Sequence, residues 1–163
     1  MEEQKNMSNI TDDVLDNIFY QARCKASTYN EQLRSREGAA EMMLINPGRL
    51  YRIEKGSMIP YPDEIHLMAD LYNAPELENY YCTEMCPLGC EMQKVEIADL
   101  DRISIKAIST FRKVKETQEL LLDVTEDGIV DEKEKPEIRK VLANLEELEQ
   151  VTQSLKLWVK KNL

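Results

Sequence analysis

Apolar residues recur along this chain at steps of three and four, and no segment alternates apolar with polar long enough to suggest a strand. Thr11 reads as the N-cap of a helix through "DDVLDNIFYQARCKA", with Val14, Leu15, Ile18, Phe19 and Ala22 on one face, acids in its first turn and bases in its last. The stretch "REGAAEMML" is a second, shorter helix. Asn46 then makes a good N-cap and Pro47 a good first helical residue, because the N–H that proline lacks is unneeded there; "PGRLYRIEK" is a third helix, closed by Gly56. "SMIPYP" breaks the chain before "DEIHLMADLYN", a fourth helix with Ile65, Met68, Ala69 and Tyr72 along one face. A fifth begins near Pro75 and runs through Cys82.

The segment "CTEMCPLGC", Cys82 to Cys90, holds Pro87 and Gly89 and divides the chain into two parts, 10–90 and 95–163. Beyond it, Ile97, Leu100, Ile103, Ala107, Ile108, Phe111, Val114 and Leu121 predict a long helix from about Val95 to Val124. Ile138, Val141, Leu145, Leu148, Thr152, Leu155 and Val159 continue in alternating steps of three and four, the spacing of a coiled-coil-like seam. A turn containing Gly128 joins the two runs, so they fold back as an antiparallel helical hairpin or pair with a second copy. The expected fold class is all-α.

Composition narrows the function. The apolar runs, such as that in "ELLLDV", fall far short of the roughly 18–20 residues that span a bilayer, and "MEEQKNMSN" has neither the basic start nor the apolar centre of a signal peptide. A cytoplasmic location is expected, with no membrane partner. The net charge of −10 opposes general nucleic-acid affinity. Residues 20–55 are the exception: seven Lys/Arg stand there against four acids, a balance of +3. DNA, if bound, is bound there. One histidine and five scattered glycines give little to nucleophilic, metal or phosphate-loop chemistry, so no enzyme and no cofactor is expected.

Counting from Ala40 as a small helix-crossing residue, Ile45 lies five on, Leu50 ten on and Ile53 thirteen on, with Glu54 and Gly56 closing the unit. These offsets gather Ala40, Ile45, Leu50 and Ile53 into one core and leave Arg49, Tyr51 and Arg52 outside. The spacing resembles the Cro/repressor-type helix-turn-helix, the xenobiotic-response-element-like (XRE) family. The flanks "REGAAEMM" and "PDEIHLMADLYNAPELENYYCTEMCPLG" are similar to a bacterial subfamily of such regulators frequent on mobile elements. The resemblance covers roughly residues 20–90, and the C-terminal hairpin weakly. It implies a lambda-repressor-like domain of about five helices that binds double-stranded DNA, with Arg36, Asn46, Arg49, Tyr51, Arg52 and Lys55 on the duplex. Arg36 falls where the family contacts phosphate; Arg34 is a further backbone contact of lower rank. Base readout rests on Arg49 and Arg52, with Tyr51 beside them, because Pro47 and Gly48 offer almost nothing to hydrogen-bond with. Leu44 stands at the turn position where the family has Gly, which implies a modified turn or a leucine in an awkward backbone conformation.

Other constellations carry blander readings beside their sharper ones. Cys82, Cys86 and Cys90 recur every four residues and Cys24 could join them; thiols packing the domain's end stand against a metal, redox or disulfide role. "DVTEDGIVDEKE", Asp123 to Glu134, fits the calcium-loop pattern, with Thr125 a poor ligand and Pro136 an obstacle to the exit helix; the alternative is a solvated hairpin loop. His66 reads as a packing or surface residue, Trp158 as a flank of the hairpin or of a dimer contact, and Met42, Met43, Met58 and Met68 as core filling. The expected protein is a sequence-specific transcriptional regulator, a homodimer whose hairpin dimerises it or docks a protein partner. The rival is an interaction adaptor whose helix-turn-helix no longer reads DNA.

Overall fold

The computed structural model describes residues 16–89, 92–95, 98–125 and 131–163. All regular structure among them is helical, and no helix is long and apolar enough to cross a membrane. The chain divides into two compact units, Met1–Cys90 and Glu91–Leu163.

In unit 1, α1 spans Ile18–Ala26. Its N-cap is Asn17, extended in backbone, whose side chain accepts from the N–H groups of Phe19 and Tyr20. This corrects the expectation of one helix running on from a Thr11 cap; Thr11, Val14 and Leu15 lie outside the described residues. A 3₁₀ turn over Glu31–Arg34, unforeseen in the sequence, follows a second Asn cap, Asn30. Then come α2 (Arg36–Met43), α3 (Pro47–Glu54), α4 (Pro62–Leu71) and α5 (Glu76–Tyr80). Beyond Tyr80 the backbone loosens into a π-helical turn, Tyr81–Met85, rather than carrying α5 on through Cys82.

The core joins Phe19 and Ala22 of α1, Leu33 of the 3₁₀ turn, Ala39, Ala40 and Met43 of α2, Leu50 and Ile53 of α3, and Ile65 and Met68 of α4. Ala39 and Ala40 are fully buried, so the absence of larger side chains there lets α2 lie close to its neighbours. Gly38 is required for a similar reason: a Cβ would stand 2.2 Å from the Gln32 carbonyl oxygen. Met42, in contrast, faces solvent rather than filling the core.

Between α2 and α3 the chain reverses through Leu44, which is left-handed (φ 56°, ψ 35°) and 92% exposed. Ile45 N–H donates back to the Ala40 carbonyl at 3.0 Å, closing α2 as a Gly-type cap would. Left-handed backbone costs a residue with a Cβ about 1–2 kcal/mol, and the leucine side chain recovers nothing by burial. After the entropy glycine loses on folding, Leu44→Gly is expected to stabilise the unit by about 0.5–1 kcal/mol, a rise of about 2–8 °C in melting midpoint. A fall in the midpoint on thermal unfolding would contradict the strained-turn assignment.

Unit 2 is built on α6 (Leu100–Val124) and α7 (Lys135–Asn162). Asp99 is extended and starts α6 at Leu100, later than the periodicity suggested; Ile97 is outside the described residues. Pro136 sits in the first turn of α7, where its missing N–H breaks no helical bond, so it does not obstruct this helix. The two helices run antiparallel: Lys106 donates to Gln150, Lys113 to Glu147, and Asn144 to Thr117. The side chains that α6 buries are Ile103, Thr110, Thr117 and Val124, one per heptad. Of the apolar residues that announced α6, Ile108, Phe111, Val114 and Leu121 stay 41–61% exposed while threonines occupy its buried line, and of the seam expected on α7 Val141 is buried while Leu145, Leu155 and Val159 are 42–47% exposed.

Candidate nucleic-acid interface

Three helices of unit 1 are tied at one buried charge. Glu54, at the end of α3, is 0% exposed. It accepts from Arg23 Nε at 2.5 Å and Nη2 at 3.0 Å, and from Arg36 Nε at 2.5 Å. Arg23, itself 4% exposed, also donates to the carbonyls of Leu33 and Arg34. With its donors so engaged, Arg23 is held charged by the Glu54 carboxylate despite burial, and α1, the 3₁₀ turn and α3 are locked together. Two guanidinium groups share one carboxylate, so a net positive charge remains. It lies toward Arg36, which is 30% exposed and stacks near the rings of Tyr20 and Tyr51.

Arg49 does not stand out toward solvent as its position in the pattern suggested. Its guanidinium is clamped in a bidentate pair with Glu64 of α4, donates toward the Met58 sulfur and stacks on Tyr61, 4.1 Å from the ring centroid. The Glu64 carboxylate accepts in turn from Tyr61 N–H at 2.7 Å, capping α4. Arg49 therefore ties α3 to α4, with its guanidinium engaged in the protein rather than presented to solvent. The hydrogen bond from Arg49 holds the Glu64 carboxyl below its ordinary range, with the Tyr61 N–H adding to the effect. An acid depressed in this way lends stability that is fully present above its unfolded value, near 4.3, and fades as pH falls through the lower folded value. Between neutrality and pH about 3 the unfolding midpoint of wild type is expected to drop further than that of Arg49→Ala. Parallel pH profiles would contradict the coupling.

What α3 leaves exposed is Asn46, Pro47, Gly48, Tyr51 and Arg52, with Lys55 half-buried at its end. Asn46 uses its side-chain oxygen on the Arg49 N–H at 3.2 Å, so its primary work is capping. A Cβ at position 48 would meet that oxygen at 3.0 Å, which ties Gly48 to the cap. Arg52 Nε reaches only the Gly48 carbonyl one turn back, at 3.3 Å, and among the described residues it has no carboxylate partner. Tyr51 lies between Arg36 and Lys55, 5.1 and 5.9 Å from its ring. Arg34 is paired with Glu31 at the surface. The spacing from Ala40 leaves Tyr51 and Arg52 outside the core, as the structure has them, but does not contain the Arg23–Glu54–Arg36 and Arg49–Glu64 pairings.

No family model, curated protein or solved structure matches the chain.

The other candidate sites do not assemble among the described residues, where no three His, Cys, Asp or Glu side chains converge as a metal site requires. Cys24, Cys82 and Cys86 are half-buried free thiols, and burial pushes the Cys82 thiol up, away from thiolate reactivity. Cys90 lies outside the described residues, as do 126–130 of the calcium-like loop. Asp131 and Glu134 of that loop are used locally: Asp131 accepts from the Lys133 and Glu134 N–H groups, and Glu134 from the Asp131 N–H. That arrangement is a helix-entry box for α7. His66 is a surface residue facing Glu78 at 2.8 Å, and Trp158 is half-buried.

Proposed function

We propose that unit 1 is a lambda-repressor-like helix-turn-helix domain of the Cro/repressor (XRE) type and that the protein is a DNA-binding transcriptional regulator. The observation that carries this reading is α3 itself. It is short, capped by Asn46 and anchored at its far end by buried Glu54, and it presents a polar face on which Arg52 has no carboxylate partner among the described residues, with Tyr51, Arg36 and Lys55 grouped beside it. In the proposed complex the start of α3 enters the major groove, with Pro47 and Gly48 permitting close approach. Arg52 addresses base edges, while Arg36, carrying the excess charge of the buried triad, and Lys55 fix the register on phosphates. Arg49 acts at one remove, holding α3 against α4. Four cations of the basic window, Arg23, Arg34, Arg36 and Arg49, are paired with glutamates, so affinity leans on few contacts and on DNA shape. A cytoplasmic location goes with this role, and neither catalysis nor a cofactor enters it.

The withdrawal of Arg49 into its pair with Glu64 favours a second reading, an adaptor that keeps the scaffold and contacts protein instead. Selection from a random duplex pool with the full chain separates the two. A regulator enriches a short motif whose recovery is lost with Arg52→Ala; an adaptor enriches none.

A further inference from the structure

Unit 2 is an incompletely filled pair of helices. On α7 the buried side chains are Val141 and Val151, and on α6 two of the four are threonines. Meanwhile Phe111, Val114 and Leu121 on α6, and Leu142, Leu145 and Val159 on α7, are 41–61% exposed. At 100° per residue these two stripes lie roughly 40–100° round each helix from its buried line. Because the helices are antiparallel and both offsets have the same sense, the stripes fall on one side of the pair. The polar contacts of Lys106 and Lys113 with Gln150 and Glu147 fall on the other. One face of the pair therefore carries an apolar strip, Val114 and Leu121 beside Leu145 and Val159, with Phe111 and Leu142 on its outer edges among the exposed polar residues Gln118, Glu149 and Lys156.

With Leu122 and Leu155 at its edges and half-buried Ile138 and Leu148 within it, this face offers roughly 400 Å² of apolar side chain, taking ~60–120 Å² per large side chain from its transfer energy. A standard interface needs about 800 Å² per partner, somewhat over half of it apolar, so one such face supplies most of the apolar area that a stable dimer requires. The charges specify the direction. At one end of the pair, residues 98–107 and 152–163 hold five Lys/Arg against two acids; at the other, residues 116–125 and 131–144 hold seven acids against four Lys/Arg. The ends thus differ as +3 and −3. Two copies laid head to tail bring unlike ends together, whereas a head-to-head pair stacks like upon like.

We propose that the Phe111–Leu145 face is covered by the same face of a second copy, laid antiparallel, so that two units 2 form a four-helix bundle. The bundle joins two chains whatever unit 1 binds, so its test needs no DNA.

The test is sedimentation equilibrium of the full chain, with helicity followed by circular dichroism. A dimer at micromolar concentration is expected, with a dissociation constant that rises several-fold from about 0.05 to 0.5 M NaCl as the unlike ends are screened. Phe111→Glu combined with Leu145→Glu should give a helical monomer. Should that variant unfold, Lys156→Glu, on an exposed position of the positive end, should still weaken the dimer several-fold, and adding Glu119→Lys at the negative end should recover it. A monomeric wild type overturns the proposal, as does a dimer that neither Phe111→Glu nor Lys156→Glu weakens. A dimer that tightens with salt overturns the antiparallel arrangement.

Discussion

Glu54→Gln is expected to lower the melting midpoint of unit 1 by about 15–30 °C. The carboxylate is wholly buried and is the common acceptor for Arg23 and Arg36, so its removal leaves the Arg23 guanidinium, 4% exposed, without a counter-charge. Breaking a buried ion pair from one side costs about 3–5 kcal/mol, a large part of what a domain of this size has. Each kcal/mol moves the midpoint of such a domain by about 4–8 °C. Arg36→Ala should cost much less, because Arg36 is partly solvated and Glu54 keeps its bidentate partner Arg23. Thermal unfolding of the two variants in parallel checks the ordering. A shift under about 5 °C for Glu54→Gln would show that the carboxylate does not carry this load.

The second large effect separates two arginines three positions apart on α3. Arg52→Ala is expected to weaken binding to a selected duplex by roughly 5- to 150-fold while leaving stability nearly unchanged, since its exposed side chain has one weak hydrogen bond, to the Gly48 carbonyl, among the described residues. Arg49→Ala should do the reverse. It leaves Glu64 without its bidentate partner and Tyr61 without its stacked cation, so the midpoint falls. Assayed below that midpoint, its duplex affinity should stay within about threefold, under the roughly 1 kcal/mol of even a weak base contact. Calorimetry and fluorescence anisotropy on the same preparations give both quantities. A large affinity loss from Arg49→Ala at full folding would return that residue to the duplex.

Most elements of unit 1 were legible because their caps are local. Asn46 with Pro47 announces α3, and Pro62 followed by two acids announces α4. The π turn after α5 was not legible, because nothing in "YYCTEM" distinguishes it from a continuing helix. On unit 1 the spacing from Ala40 set Arg49 and Arg52 alike outside the core, although only Arg52 is exposed. Which arginine is free depends on partners far along the chain: Glu54 is 31 residues from Arg23, and Glu64 is 15 from Arg49. One signal was present. Phe19, Ala22, Arg23 and Ala26 share the buried face of α1, and an arginine in such a row calls for a buried acid. In unit 2 the periodicity found both helices, but a helix with apolar residues over a wide arc does not say which edge of the arc meets its neighbour. Thr110, which donates to Glu147, and Asn144, which donates to Thr117, settled that edge through hydrogen bonds no hydrophobic pattern contains.

The most direct measurement is the salt dependence of full-length protein binding to its best selected duplex. With Arg36 and Lys55 on phosphates in each of two copies, log affinity should fall with log salt at a slope of about −3 to −4. A slope indistinguishable from zero on every duplex would mean that this face does not meet DNA, and the regulator reading would give way to the adaptor.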